Sequence, residues 1–574
     1  MGIKRLTGAE IIWECLIKEG VEVVFGYPGG AILPAYDALN KYNKQVHHVL
    51  TRHEQGATHM ADGYARSSGK VGVAIATSGP GAANMVTGLA TAMMDSSPIV
   101  CITGQVPRQA IGSDAFQEMD ISGAVIPVTK HSYLVMDVKD LANTIKEAFA
   151  IARAGRPGPV LIDIPKDVQV EECDFNYPKD PVSLPGENPI QNVFEEADLK
   201  MAAKMIAEAS RPVILAGHGV AISGASQEVI SFSETADIPM SWTLLGSGGI
   251  PASHPLNMGM MGMHGEFAAN NAIQNADLLI ACGMRFDDRV TGNTKTYSPN
   301  SKKIHIEIDP SEINKNVRVD LAMIGDLKYV LSNLIPHIKK KKNKEWVEKI
   351  SKWYGESASR DIINNDTQIL FGAQVISDLW KETNGDAIVV SDVGQHQMLE
   401  AQYYKHDEPN TLLTSGGLGT MGFSLPAAIG ASFANRGKDI WVIVGDGSIQ
   451  MTITELATAV QENANIKIAI INNGYLGMVR QWQQLFYDSR YSETPISSPD
   501  YVKLSEAYGL KGFRVSSRNE IPMAVKDAQK IDGPALIEFV VEKHDMVYPM
   551  VPAGANLDEM ISRPVHEQFQ DAEM

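Results

Sequence analysis

Short runs rich in valine and isoleucine, each closing on a glycine, a proline or a polar residue, recur along the chain. VEVVFGYPGG, VGVAIATSGPGAAN, IVCITGQ and PVLIDIPKD fall in the first third. PVILAGHG, LLIACGMR and IHIEID follow in the middle, and AIVVSDVG, IWVIVGDG, IKIAIINN and ALIEFVV in the last third. Helix-length segments such as Thr58–Ser68 and Gly81–Met94 separate them. Runs this continuous are strands buried on both faces, so they demand parallel sheets with helices packed on either side. At 574 residues the chain exceeds what one core supports. The expected class is therefore α/β, with three doubly wound parallel-sheet domains over residues 1–180, 195–345 and 365–545, and a C-terminal tail over 546–574 that could serve as a lid. DFNYPKDPVSLPGENPIQN reads as the first linker, and the basic run IKKKKNKEW as a solvated second one. In open sheets of this kind ligands bind outside the carboxyl ends of the strands.

Composition narrows the partners. A formal net charge of −18 argues against nucleic acid and against a membrane surface, both of which call for a basic face. The four cysteines, Cys15, Cys101, Cys173 and Cys282, are scattered, with neither zinc-ligand spacing nor a disulfide framework. There is no apolar run of membrane-spanning length. The opening MGIKRLTGAEIIWECL lacks a secretory core and runs into an amphipathic helix pattern, so the expected location is cytoplasmic.

The most informative pair of strand ends is Asp446 and Asn473. Asp446 follows IWVIV, Asn473 follows KIAII, and MTITELATAVQEN between them has a helical apolar face at Met451, Ile453, Leu456, Ala457 and Val460. Strand, helix, strand is a right-handed crossover, so both ends land on one edge of the sheet. A carboxylate and an amide oxygen meeting there form a hard oxygen set suited to Mg²⁺ that also holds phosphate oxygens. Gly445 and Gly447 allow close backbone approach, and the following helix start faces the same anion. A lone GDG would read as a turn; GDG with NN at this spacing matches the thiamine diphosphate motif.

Further motifs extend the match: FGYPGGAILP, RHEQGA, SGPGA, SDAFQE, RPGPVLIDIPKD, GMRFDDRVTGN, GQHQM, GGLGTMGFSLPAAIG, NNGYLGMVRQWQ and the C-terminal YPMV and LDEMI. From about residue 4 to residue 565 the chain is similar to the catalytic large subunits of acetohydroxyacid synthase, also called acetolactate synthase. The resemblance implies a pyrimidine-binding, an FAD-binding and a diphosphate-binding domain. It implies a transferase that decarboxylates pyruvate on thiamine diphosphate. The hydroxyethyl carbanion then passes to pyruvate or 2-ketobutyrate, giving 2-acetolactate or 2-aceto-2-hydroxybutyrate for valine, leucine and isoleucine. It further implies a homodimer or homotetramer, since the pyrimidine and diphosphate sites come from different subunits, and a separate small regulatory subunit.

Residue by residue, the resemblance gives Glu54 the carboxyl that hydrogen-bonds the aminopyrimidine and so activates the thiazolium carbon. Met421 matches the bulky residue that keeps the cofactor bent, and Gly419 a backbone contact to the pyrimidine. Val393, Gly394, Gln395 and His396 follow AIVVSD and face the diphosphate, together with Gly445, Gly447 and Ser448. Asp446, Asn473 and the carbonyl of Tyr475 form the metal set, with Gly477 and Met478 beside them. Gly30, Phe116 and Gln117 match positions around the reacting carbon, and Trp482 one that favours 2-ketobutyrate through an apolar wall.

The RFDDR segment separates this family from flavin-independent relatives and implies bound FAD. The residues assigned to it by resemblance are Arg156, Gly217, Gly219, His264, Gly283, Arg285, Asp288, Glu307, Asp309 and Asp326. GHGV alone is weak as a dinucleotide turn, and Arg285 reads equally as an ion pair with Asp287 or Asp288. The expected reaction has no redox step for the flavin. Three other readings compete: an FAD-dependent pyruvate oxidase of the same fold, a non-catalytic paralogue, which intact Glu54, Asp446 and Asn473 oppose, and an enzyme like oxalyl-CoA decarboxylase.

Overall fold

The computed structural model describes residues 4–180, 182, 192–358, 360–365 and 368–564. The predicted linker 174–192 and the tail 546–574 therefore lie partly outside the described residues. Three sheets of six strands each, all parallel, organise the rest. The N-terminal sheet runs, in spatial order, His47–Leu50, Val23–Gly26, Gly72–Ala76, Ile99–Gln105, Val160–Pro165 and His131–Leu134. The C-terminal sheet runs Leu412–Thr414, Ile388–Ser391, Ile440–Gly445, Lys467–Asn472, Ala535–Val540 and Lys511–Val515. Numbered along the chain, both sheets have the order second, first, third, fourth, sixth, fifth. In both, the sixth strand carries a carboxylate at its fourth position, Asp163 in VLIDIP and Glu538 in ALIEFV.

The middle sheet is wound differently. Its order is Asn257–Met260, Met240–Trp242, Pro212–Ala216, Leu278–Cys282, Lys302–Glu307 and Leu321–Ile324. That is third, second, first, fourth, fifth, sixth, the order associated with dinucleotide binding at the point where the winding reverses.

Alternate residues of each strand enter cores on opposite faces, as runs buried on both sides require. In the N-terminal sheet Phe25, Ala74 and Cys101 pack on one face and Val24, Ile75 and Ile102 on the other. The first of these cores continues into the C-terminal sheet through Val390, Val442 and Ile468. Helices Glu54–Ser68 and Ser424–Ala434 join the two. A side chain on Gly63 would lie 2.1 Å from the Ala427 carbonyl oxygen, and one on Gly430 would lie 1.9 Å from that of Met60. The helices thus touch backbone to backbone.

The segment after Asp446 departs from the single helix its periodicity predicts. Helix Asp446–Thr452 gives way to a 3-10 turn, Ile453–Glu455, and a second helix, Leu456–Gln461. Thr452 breaks the pattern: its hydroxyl bonds the Gly422 carbonyl at 3.0 Å, and its backbone leaves the helical region at φ −131, ψ 20. Met451, expected on the apolar face, is consequently 61% exposed. Residues 172–175, whose last two open the predicted linker, pair antiparallel with Lys4–Thr7. In the basic run, Lys342 pairs with Asp237 and Trp346 is buried under the middle domain. No helix among the described residues is long and apolar enough to cross a membrane.

Candidate active site

Strands Ile440–Gly445 and Lys467–Asn472 are hydrogen-bonded neighbours, with Gly445 opposite Ile471. Asp446 and Asn473 therefore leave the sheet side by side at its carboxyl edge. The Asp446 side chain is buried, and its Oδ2 accepts the Gly474 N–H at 3.1 Å and the Ser498 hydroxyl at 3.1 Å. Both donors are neutral, and burial lifts the carboxyl to a pKa of about 6. A buried carboxylate faced only by neutral donors is an unfavourable state that a bound cation relieves. Asn473 Oδ1 accepts the Tyr475 N–H at 3.0 Å and keeps a second lone pair. Among the described residues no group of three or more His, Cys, Asp or Glu is placed to hold a metal ion. The donors on offer here are one carboxylate, one amide oxygen and the backbone carbonyl of Tyr475. That set fits Mg²⁺ and not a soft metal.

The residues that the resemblance assigns to the diphosphate surround this point. The Gly445 N–H donates to His396 Nε2 at 3.2 Å, and burial holds this imidazole neutral, with a pKa near 4. Gln395 donates to Gln481 Oε1 at 2.9 Å and to the Asp545 carbonyl at 3.1 Å. A side chain on Gly477 would lie 2.2 Å from Gln395 Oε1 and 2.7 Å from Asn473 Nδ2, so it would displace both site side chains. Ser448 donates to the Val393 carbonyl at 3.2 Å. Gly394, Gln395, His396, Asp446, Gly447, Ser448, Asn473, Tyr475 and Gly477 line a cavity of about 90 Å³. It abuts a larger one, of about 880 Å³, at Val393, Gly394, Met421 and Met478. The Gly416–Gly422 loop that carries Gly419 and Met421 is gripped from three sides. Asp95 accepts the N–H groups of Gly416 and Gly417, at 3.0 and 2.7 Å, and Asp392 accepts that of Gly422 at 2.9 Å. Thr91 and Thr420 share a hydroxyl bond of 2.8 Å.

The larger cavity follows the reversal point of the middle sheet. Arg156, Gly219, His264, Gly283, Arg285, Asp288, Glu307 and Asp326 line it, and Trp482 from the C-terminal domain closes one end. Two residues assigned to this site by resemblance sit beside lining residues without lining the cavity themselves. Gly217 is pressed against the neighbouring strand end, where a Cβ would lie 2.3 Å from the Gly283 carbonyl oxygen. Asp309 is turned away to pair with Arg156 at 3.3 Å and to cap the turn Pro310–Glu312. Burial raises Glu307 to a pKa of about 7 while its Oε1 accepts the N–H groups of Ile308 and Asp309. His264 is held neutral by burial, with a pKa near 4, and its Nδ1 lies 3.2 Å from the Pro549 carbonyl oxygen. Asp326 accepts the Tyr329 N–H as a helix cap. Arg285 does form the ion pair with Asp287, at 3.8 Å, while Asp288 pairs with Arg289. The Arg289 guanidinium lies 6.0 Å from the Trp482 ring. The tail lies along this rim: the Val551 N–H donates to the Met263 carbonyl at 2.8 Å and the Asn293 N–H to that of Ala555 at 3.0 Å.

The N-terminal candidates stand apart. Glu54 opens helix Glu54–Ser68 and accepts Asn84 Nδ2 at 2.9 Å. Gly30 is exposed, Phe116 is 88% exposed and Gln117 sits at φ +60. None of the four lines either cavity. One chain thus brings together the metal, diphosphate and flavin candidates with Gly419, Met421 and Trp482, and leaves buried Glu54, exposed Gly30 and Phe116, and Gln117 outside both cavities.

Asn84, Ser498, Asp392 and Asp95 escaped the sequence reading. Asp392 had a signal, since it ends AIVVSD as Asp446 ends IWVIVG. Asn84 had a weaker one, as the lone polar side chain in GPGAAN. Asp95 and Ser498 reach their partners only through the fold.

The chain matches the family described as thiamine pyrophosphate enzyme in three parts: the N-terminal TPP binding domain over residues 6–124, the central domain over 199–334 and the C-terminal TPP binding domain over 392–539. It is 47% identical to the acetolactate synthase large subunit of Corynebacterium glutamicum, over 96% of this chain and 90% of that one. A probable acetolactate synthase large subunit of Methanocaldococcus jannaschii is 46% identical, over 97% and 95% of the two chains. The acetolactate synthase large subunit of Buchnera aphidicola is 43% identical, over 97% and 98%.

Proposed function

The chain belongs to the acetolactate synthase large-subunit family of thiamine pyrophosphate enzymes, and from that premise we infer that it releases carbon dioxide from one pyruvate and joins the remaining two-carbon unit to a second 2-keto acid. The acceptor is pyruvate or 2-ketobutyrate, which gives 2-acetolactate or 2-aceto-2-hydroxybutyrate. The observation that carries this reading is Asp446, a buried carboxylate without a counter-charge, set beside Asn473 where the family holds its cofactor. Full-length identity to acetolactate synthases disfavours the pyruvate oxidase alternative.

Thiamine diphosphate, when bound, supplies a nucleophilic carbon and an electron sink. The chain supplies the rest. Asp446, Asn473 and the Tyr475 carbonyl would hold Mg²⁺. Gln395, His396 and the backbone about Gly394 and Gly445–Ser448 would hold the phosphates, with Gly477 and Met478 alongside. Met421 and Gly419, on their gripped loop, would bend and seat the ring system. Glu54 would exchange a proton with the pyrimidine ring. Glu54 lies away from both cavities while Gly30 and Phe116 stand exposed, which supports a dimer in which one copy's Glu54, Gly30, Phe116 and Gln117 complete the other copy's site. Gln117 would donate to the reacting oxygens and Trp482 would wall the acceptor's alkyl group. The sheet order and the 880 Å³ cavity fit an extended dinucleotide, so FAD is the expected occupant, in a structural role. The relatives are named large subunits, which supports a separate small regulatory subunit.

The test is product analysis with pyruvate, thiamine diphosphate, Mg²⁺ and FAD, with and without 2-ketobutyrate. Acetolactate, replaced by acetohydroxybutyrate in the mixed tube, is the expected result. Trp482→Leu should erode the 2-ketobutyrate preference by about 1–3 kcal/mol, the worth of one methylene in an apolar pocket. Acetate or peroxide without acetolactate would overturn the reading.

A further inference from the structure

Glu455 ends the 3-10 turn that interrupts the helix after Asp446. It is fully buried, yet nothing in the proposed chemistry uses it. Its carboxylate crosses from the C-terminal domain into the N-terminal one. The Arg52 N–H donates to both of its oxygens, at 3.0 and 3.2 Å, and Thr458 donates its hydroxyl at 2.6 Å. Arg52 stands two residues ahead of Glu54. A side chain on Gly56 would lie 2.4 Å from Glu455 Oε1, so the carboxylate rests on the first turn of the Glu54 helix. The Arg52 guanidinium adds a second tie, donating to the Leu50 carbonyl and to Gln461 Oε1 at 2.8 and 2.9 Å.

Burying an acid in this seam is costly, and an apolar side chain would pack there without that cost. What an apolar side chain could not do is accept the Arg52 N–H, which would then be stranded in a dry interface. We propose that Glu455 is a positioning residue for Glu54: its oxygens fix the start of the helix, and thereby the reach of the Glu54 carboxyl toward the cofactor of a second copy. The role rests on Glu54 completing the partner's site, as proposed above. It belongs to the oxygens and not to the charge. Each chain ties the end of its own metal-binding segment to the glutamate it lends.

Two variants separate oxygen from charge. Glu455→Gln keeps an oxygen in place and removes the charge, whereas Glu455→Asp keeps the charge and withdraws the oxygens by one methylene. Three quantities are measured on the full-length enzyme: amide hydrogen exchange over residues 52–57 without cofactor, the Kd for thiamine diphosphate with Mg²⁺, and proton–deuterium exchange at the thiazolium C2 of the bound cofactor. A misplacement on the order of 1 Å can cost about 100-fold in rate. Glu455→Asp should therefore slow C2 exchange by about 10- to 100-fold, speed amide exchange over 52–57 and leave the Kd unchanged. Glu455→Gln should match the wild type in all three. C2 exchange slowed in Glu455→Gln but not in Glu455→Asp would overturn the proposal in favour of a role for the charge. Normal exchange in both would overturn it outright. Absence of C2 exchange in the wild type would instead overturn the functional reading beneath it.

Discussion

The N-terminal and C-terminal sheets share a strand order and differ in what they place at the point where that order reverses. In the C-terminal sheet the first and third strands are followed directly by Asp392 and Asp446, both buried and both hydrogen-bonded. In the N-terminal sheet the equivalent strands end at Gly26 and Ala76, and the loops beyond carry exposed Tyr27 and Gly30. The sixth strands repeat the contrast. Glu538 is paired with Arg514 at 2.7 Å, whereas Asp163 has only Thr103 and Gln105, both uncharged. One scaffold thus serves two ends: the C-terminal copy gathers buried carboxylates at its edge, and the N-terminal copy carries a single buried glutamate, Glu54, beside exposed Gly30 and Phe116. What a sheet of this order does is decided by a few side chains at its edge and not by its winding.

The largest expected effect tests whether the two halves work across chains. Glu54→Gln should lower turnover by about 10² to 10⁴-fold, the range for removing a positioned acid–base group, with cofactor affinity retained. Asp446→Asn should instead raise the apparent Kd for Mg²⁺ by at least about tenfold, and excess Mg²⁺ should restore part of the rate. Refolding the two variants together, at Mg²⁺ too low to activate Asp446→Asn, should recover about a quarter of wild-type activity, because half the dimers are mixed and each mixed dimer keeps one intact site. No recovery would show that both residues serve the same chain's site. Next in size, Gly430→Ala should cost about 1–3 kcal/mol in urea unfolding by prising the twin domains apart. An unchanged midpoint would mean the seam is looser than its backbone contacts indicate.

The smallest effect sharpens the contrast between the sixth strands. Burial raises Asp163 to a pKa of about 7, well above an unfolded aspartate. Between roughly pH 4 and 7 the folded chain therefore binds the extra proton, and this group adds stability as pH falls through that window and costs stability above it. Asp163→Asn should flatten that part of the stability profile and gain on the order of 1 kcal/mol at pH 8, less than the full shift, because Thr103 and Gln105 lose a charged acceptor. Glu538→Gln should give no such gain, since it removes one of the two ion pairs of Arg514 and leaves only that with Asp500. Equal profiles for the two variants would erase the distinction drawn between the strands.

Much of this was legible in the chain itself. Buried parallel strands announce themselves as unbroken apolar runs, and the polar residue that ends each run falls where ligands bind, so Asp446, Asn473, Gln395 and His396 could be placed together. The helix break at Thr452 could not, because it depends on the Gly422 carbonyl some thirty positions earlier. Without the break, Glu455 has no visible route to Arg52. The winding order common to the outer sheets was equally hidden, since strand order is a property of pairing and not of periodicity. Gly217 and Asp309 illustrate what a motif does not show: both fall beside residues that line the large cavity, but packing against Gly283 and pairing with Arg156 could not be read from the chain.

Phe116, standing 88% exposed, has a kinetic consequence. If a second copy must cover it before any turnover, the rate per milligram becomes a function of dilution, falling in proportion to concentration once dimers dissociate. A chain newly released from synthesis would consume no pyruvate until it met another.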